Sequence, residues 1–298
     1  MKYDLVSIGH IALDYIERRR IVKGPQLGGP CVYAAIAARA LAGRAAVISK
    51  VGSDFQERHI SWLKARGISV ANIKIAGPST TRFRINYQNE KRTLRATSTC
   101  EPFDKRDFSN LPSSSAMHIG PVFQEIPVAL AQDLAASNSV VALDPQGYVR
   151  KLGANGSVRI RKWKDAKLFK MVDVLKVSDE EIPAVLGNTG SVRKLANAGS
   201  GIVLLTRGTR GTIVWSKDYG AFEVPTFPTR VRDPTGAGDA LLGAFLVTWI
   251  RTSDLLWSAS VGSAVASFVV ERTRPVSFGT RKQIEERTSR ILDRVVRI

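Results

Sequence analysis

Seven residues, Asp233-Pro234-Thr235-Gly236-Ala237-Gly238-Asp239, set a glycine-rich turn and a carboxylate directly before an apolar run. That run, over 240–250, recurs at helical spacing, so the turn opens into a helix. Unpaired backbone N–H groups and the helix dipole make such a start an anion site. A carboxylate beside an anion is repelled. Asp239 makes sense there if it draws the proton from a hydroxyl that then attacks a phosphoryl group. An ordinary N-capping turn is the plainer reading of the same residues, since helix starts often carry Asp and Gly.

Other residues with chemical potential recur where predicted strands end. Asp14 follows the first strand, and Gly28-Gly29-Pro30 precedes a small-residue helix where a ligand can approach the backbone closely. Asp144-Pro145-Gln146-Gly147 follows another strand, with Arg150 beyond it. Ser178 and Glu181 stand three apart, a spacing that also reads as a capping box. Thr206-Arg207-Gly208-Thr209-Arg210-Gly211 closes the series.

The elements that must position these residues alternate. Strands are predicted at 3–8, 45–49, 116–119, 139–143, 172–176 and 201–205, and helices at 31–41, 55–66, 126–136 and 163–169. Edge strands at 212–215 and 221–224 precede helices at 239–250, 254–270 and 280–295. The rhythm breaks at 71–97, where Ile73, Ile75, Thr81, Phe83, Ile85 and Tyr87 alternate with charged or small residues. That stretch reads as a hairpin turning at Asn89-Glu90-Lys91, and 15–23 as an exposed strand. Together they predict a single α/β domain over 1–298 with a doubly wound, mostly parallel sheet. A small β-sheet lid is expected from about 12–26 and 71–99. Open sheets of this kind bind ligands beyond the strands' carboxyl ends, where Asp14, Gly28, Asp144, Glu181, Thr206 and Asp239 all fall.

Composition narrows the classes. The chain has 298 residues, 44% apolar, with net charge +18. The arginines are scattered and no nucleic-acid-binding motif accompanies them, so specific nucleic-acid binding is not expected. Cys31 and Cys100 have no metal or redox spacing, and His10, His59 and His118 are spread apart. With no leader or membrane-length apolar run, a cytoplasmic protein is expected, and the high charge with few cysteines suits heat adaptation. No Gly-x-x-x-x-Gly-Lys-Ser/Thr loop occurs, and no dinucleotide fingerprint follows the first strand.

Across nearly its whole length the chain resembles the ribokinase-like (PfkB) family of sugar, polyol and nucleoside kinases. The most specific match is the 233–239 motif in its place relative to Gly28-Gly29. The resemblance implies Asp239 as the base, and Gly236, Ala237 and Gly238 as the hole for the transferring phosphoryl group. It implies acceptor binding by Asp14, Gly28 and Gly29, with Tyr33, Arg84 and Asp144 nearby. It places Ser178, Thr206, Arg207, Gly208 and Gly211 near ATP, and Glu181 near Mg²⁺. Asp233 is expected to support the loop or a monovalent-cation site such as K⁺ rather than to ligate magnesium, and the resemblance implies a homodimer contact through the lid. Ser178 stands where the family has Asn, and Tyr33 where Asn is common. With Asp144-Pro145-Gln146-Gly147 these departures resemble the myo-inositol kinase branch, with nucleosides, ribose, fructose or 2-keto-3-deoxygluconate as alternative acceptors.

Overall fold

The computed structural model describes residues 2–18, 21–88, 91–187, 192–197, 199–271 and 278–298. The chain runs through β1 (Tyr3–Ile8), β2 (Ala12–Arg18), β3 (Ile21–Gly28), α1 (Pro30–Ala40), β4 (Ala45–Val51), α2 (Glu57–Lys64), β5 (Ile68–Ile75), β6 (Thr81–Gln88) and β7 (Lys91–Ser98). It continues through β8 (Ser114–Ile119), α3 (Val128–Ala135), β9 (Val140–Leu143), β10 (Arg150–Leu152), β11 (Val158–Ile160), α4 (Ala166–Met171), β12 (Val174–Ser178), α5 (Ile182–Leu186), α6 (Val192–Ala196) and β13 (Ile202–Thr206). It closes with β14 (Thr212–Ser216), β15 (Gly220–Val224), α7 (Ala237–Thr252), α8 (Leu255–Val270), α9 (Arg281–Leu292) and β16 (Val296–Arg297).

The main sheet has the order β16-β15-β14-β13-β12-β9-β8-β1-β4-β5. From β13 to β5 the strands run parallel, while β14, β15 and β16 add an antiparallel flank. Parallel strands are covered on both faces, and β4 is accordingly buried at every position. Leu5, Ala45 and Val47 face a core built with α1, α7, α8 and α9. Val6, Ala46 and Ile48 face the other, built with α3, α4, α5 and α6. The chain winds outward from β1 through β4 to β5, then returns to β8 and winds the other way. That reversal puts a ligand crevice beyond the ends of β1 and β8.

Helix α1 packs on β1 and β4 and beside α7, which itself packs on β1 and β8, and is buried from Pro30 to Ala38. Its small residues permit this. Where α7 crosses at Gly243, the backbone of Ala34 fills the space a Cβ would need.

A second sheet, β3-β2-β6-β7, stands apart. Its inner face buries Phe83, Ile85 and Ala96 with Ala12 and Val122. The 15–23 stretch is two strands rather than one, with Ile16 opposite Lys23; residues 19–20 lie outside the described residues. Ile73 and Ile75 belong to β5 at the edge of the main sheet, paired with Ser49 and Val51, so the hairpin begins at Thr81. An edge strand with one wet face has the same period of two as a hairpin strand, which is why the pattern did not separate them. Asn89-Glu90, the expected turn, also lies outside the described residues.

Three further elements differ from expectation. The basic stretch after Arg150 forms the β10–β11 hairpin, which joins the second sheet where Ala96 N–H donates to the Gly156 carbonyl at 2.8 Å. The helix expected from 163 starts at Ala166, because the Asp165 side chain caps it by accepting from Leu168 N–H at 2.7 Å. Trp163 stacks on Tyr148 instead, at 4.5 Å between centroids. Strand β16 is two residues long, too short to carry a sequence pattern.

Candidate active site

Gly236 caps the start of α7 with φ 81° and ψ 0°, and the Tyr33 ring fills the place of its absent Cβ. An alanine there meets a left-handed backbone and an aromatic ring together. Gly236→Ala is expected to cost about 1–3 kcal/mol and to lower turnover more than donor affinity; thermal unfolding and steady-state kinetics check both. Ala237 N–H donates back to the Pro234 carbonyl at 3.2 Å, while the amides of Gly236 and Gly238 have no backbone acceptor among the described residues. The amide of Asp239 likewise has no backbone acceptor among the described residues, so the nest of open amides is formed by Gly236, Gly238 and Asp239.

Asp239 follows in the first turn, its side chain 14% exposed. Below it Lys176 rises from β12. Its ammonium donates to Asp144 Oδ2 at 2.6 Å and lies 4.0 Å from Asp239 Oδ1. The same amine stands 3.2 Å from where a Cβ on Gly238 would sit, so it abuts the nest. Burial is the main cause that pushes the Asp239 carboxyl up to about 6; Lys176 and Arg150 oppose it, Asp144 and Glu181 add to it. A carboxylate with this value is ionised at neutral pH yet basic enough to take a proton. Burial works against the charge on Lys176, but Asp144, Asp239 and Glu181 outweigh it and hold the amine above its ordinary value. Burial likewise opposes the Asp144 carboxylate, and the Lys176 ammonium overcomes it, holding that carboxyl below the usual range.

On the acceptor side, Asp14 lies in β2 and is 4% exposed. Its carboxylate occupies the space a Cβ on Gly28 would need. It thus stands at the start of α1, where the helix dipole favours a negative charge. Gly29 caps that helix with φ 97°. Tyr33 was expected to shape an acceptor pocket. It is 2% exposed and packed beneath Gly236, because its place in the first turn of α1 turns the ring toward the start of α7. One residue thus ties the start of α1 to the start of α7. Asp144 is also not open to a substrate: it is fully buried, with its carboxylate committed to Lys176 and to the Gln146 amide. Arg84 is exposed, and strand alternation turns it away from Phe83 and Ile85. Arg150 faces inward, donating to the Val122 carbonyl at 3.1 Å and Gln146 Oε1 at 2.6 Å.

On the donor side, Ser178 and Thr206 end adjacent strands and pair directly. Glu181 accepts from Ser178 N–H at 2.9 Å. Helix α5 starts at Ile182 with Glu181 itself at the cap, so the expected box has only its return bond. Arg207 holds Glu223 Oε1 at 2.7 Å and the Arg210 carbonyl at 3.0 Å, while its Nε is buried without a partner among the described residues. Gly208–Arg210 form one 3-10 turn that closes at Gly211.

No group of three or more His, Cys, Asp or Glu among the described residues is arranged to hold a metal unaided. Glu181 is 8% exposed, and burial first, then Asp144, raises its pKa. Three buried carboxylates, Asp144, Glu181 and Asp239, act on the Lys176 ammonium, and Arg150 is the other cation acting on Asp239. That excess of negative charge fits Mg²⁺, which binds through one or two carboxylates together with substrate phosphates. Glu181→Gln is expected to raise the Mg²⁺ needed for half-maximal rate about 10-fold or more; a Mg²⁺ titration of the rate checks it.

Sequence reasoning passed over Lys176. The available signal was a lysine inside the apolar strand Val174-Leu175-Lys176-Val177. A strand lysine in that setting is buried and needs an acid partner.

A mostly buried carboxylate beside open amides at a helix start is an arrangement suited to a phosphotransferase acting on hydroxyl acceptors. The model of the pfkB family carbohydrate kinases matches residues 3–280, and the chain belongs to that family. It is 25% identical to a nucleoside kinase of Methanothermobacter thermautotrophicus, over 90% of this chain and 89% of that one. It is 28% identical to an inositol 3-kinase of Oryza sativa subsp. japonica, over 86% of this chain and 64% of the rice protein. A solved pyrophosphate-dependent kinase of the ribokinase family, complexed with a pyrophosphate analog and myo-inositol, superposes with TM-score 0.82 at 25% identity. That match covers 94% of this chain and 99% of the other.

Proposed function

We propose that the chain transfers the γ-phosphoryl group of ATP to a hydroxyl of a polyol, with myo-inositol the favoured acceptor. The observation that carries phosphoryl transfer is the Asp239 carboxylate beside open amides, with Lys176 between it and Asp144. Inositol is favoured by the likeness to the rice enzyme and to the solved kinase complexed with myo-inositol. Asp14 at the start of α1 suits the hydroxyls of a cyclitol.

Asp239 takes the proton from the acceptor hydroxyl as its oxygen forms the bond to phosphorus and the bond to the ADP oxygen breaks. The amides of Gly236 and Gly238 and the Lys176 ammonium meet the charge on the transferring group. Glu181 would be the protein contact of Mg²⁺, which when bound would supply neutralisation of phosphate charge. Asp14 and the second sheet hold the acceptor and exclude water. Asp233 is 2% exposed and its Oδ2 is buried without a partner among the described residues, which suits a monovalent cation such as K⁺.

Two specific observations support a second reading. The likeness to a nucleoside kinase favours a nucleoside acceptor, and the solved relative's pyrophosphate dependence favours a pyrophosphate donor. A coupled phosphorylation screen separates them. It offers Mg-ATP or Mg-pyrophosphate against myo-inositol, ribose, fructose, 2-keto-3-deoxygluconate, adenosine and cytidine, with and without K⁺. Turnover of myo-inositol with ATP is expected. Turnover of a nucleoside with none of inositol replaces the acceptor, and no transfer to any alcohol removes the kinase reading.

A further inference from the structure

Tyr87 joins two parts of the molecule that are far apart in sequence. It lies in β6 on the face that carries Phe83 and Ile85, near the end of the strand remote from Thr81. Its hydroxyl donates to Asp233 Oδ1 at 2.9 Å and lies 2.9 Å from the Thr235 hydroxyl. Asp233 Oδ1 also accepts from Thr235 N–H at 3.1 Å. On the opposite side, the amides of Arg232 and Asp233 donate to the Val270 carbonyl at 2.6 Å and 3.2 Å. The loop leading into Gly236 and Gly238 is thus held between the second sheet and the end of α8. The base of that sheet is anchored separately. Thr81 Oγ1 bonds the His10 ring at 3.0 Å, and Asp54 accepts from the Thr80 hydroxyl at 2.7 Å.

We propose that Tyr87 is a positioning residue that makes the phosphate-facing loop depend on closure of the second sheet over the acceptor. The inference rests on the kinase reading of the site. Sheet and loop share two hydrogen bonds at one hydroxyl. When the sheet is closed, Asp233 and Thr235 are fixed and the amides beyond them are set. When it swings away, the loop loses that wall while water gains entry. The nest is then poorly ordered when water, rather than an alcohol, stands opposite the phosphoryl group. Donor hydrolysis, in which water supplies the attacking oxygen and ADP leaves, proceeds with the sheet open and so gains less than transfer does from this contact.

Tyr87→Phe removes the hydroxyl and keeps the ring. In the protein alone, the hydrogen-bonded backbone amides of Thr235 and Ala237 are expected to exchange with deuterium about 10-fold faster than in the wild type. Under turnover, with Mg-ATP and the acceptor identified in the screen, kcat is expected to fall about 10-fold. Phosphate release without acceptor falls less, so the ratio of hydrolysis to transfer rises. Wild-type exchange at Thr235 and Ala237 with a wild-type ratio overturns the proposal. So does an equal fall of transfer and hydrolysis with unchanged exchange, which marks a general loss of structure. If Tyr87→Phe does not fold, Thr235→Val breaks one of the two bonds from the loop side, and unchanged exchange there overturns the proposal equally. An active Asp239→Asn enzyme would remove the kinase mechanism while leaving the exchange result to stand by itself.

Discussion

Asp239→Asn is expected to keep the fold and most of the donor affinity while lowering kcat by roughly 10²–10⁴-fold or more. The substitution preserves shape and removes only the capacity to take a proton. Asp239 sits in the first turn of α7 with a mostly buried side chain, so its replacement leaves no cavity. The amide also removes a buried negative charge facing Asp144 and Glu181, so the variant is expected to be no less stable than the wild type. In the wild type, the rate follows ionisation of this group. The protonated acid cannot act as a base, so kcat is expected to fall as pH drops through about 6, the value to which burial raises Asp239. The acid limb disappears in the Asp239→Asn variant. Near-wild-type turnover in that variant would remove Asp239 from the mechanism.

Lys176→Met carries the second large effect, and it separates stability from catalysis. Removing the ammonium leaves the fully buried Asp144 without its 2.6 Å partner. Breaking one side of a buried ion pair costs about 3–5 kcal/mol. The amine also abuts the Gly238 position, where charge develops, so kcat is expected to fall about 10²-fold or more. Lys176 lowers the pKa of Asp239, so its loss moves the acid limb of the rate profile to higher pH. The double variant Lys176→Met/Asp144→Asn removes both charges. It is expected to recover much of the stability and none of the rate. Denaturant melts and pH–rate profiles of the single and double variants test this together. Recovery of rate with stability would make Lys176 a structural residue only.

The parts of the site legible in sequence were those fixed by local backbone needs. A left-handed Gly236 before a helix and a Gly28 crossed by a carboxylate are demands a short motif records. The parallel order of the sheet was also legible, because each buried strand shows as a short apolar run before a helix. What remained hidden depends on which elements meet. Ile73 and Ile75 alternate like hairpin residues, and only their pairing with β4 puts them in the main sheet. Asp144 looked like a ligand because it ends a strand; its partner lies one strand over, in β12, and nothing in the spacing announces it. Tyr33 looked like a pocket residue because of where it falls after the glycine pair. The crossing of α1 by α7 decides that it lies beneath Gly236 instead. Tyr87 and Asp233 are separated by 146 residues, and their contact exists only once the second sheet stands over the loop.

The most direct measurement is a crystal structure with a non-hydrolysable donor analogue and the alcohol that turns over in the screen. The expected result is an acceptor hydroxyl about 2.6–3.2 Å from the Asp239 carboxylate, with the terminal phosphoryl oxygens on the Gly238 amide and the Lys176 ammonium. A hydroxyl bound out of reach of Asp239, with the phosphoryl group away from those amides, would contradict it.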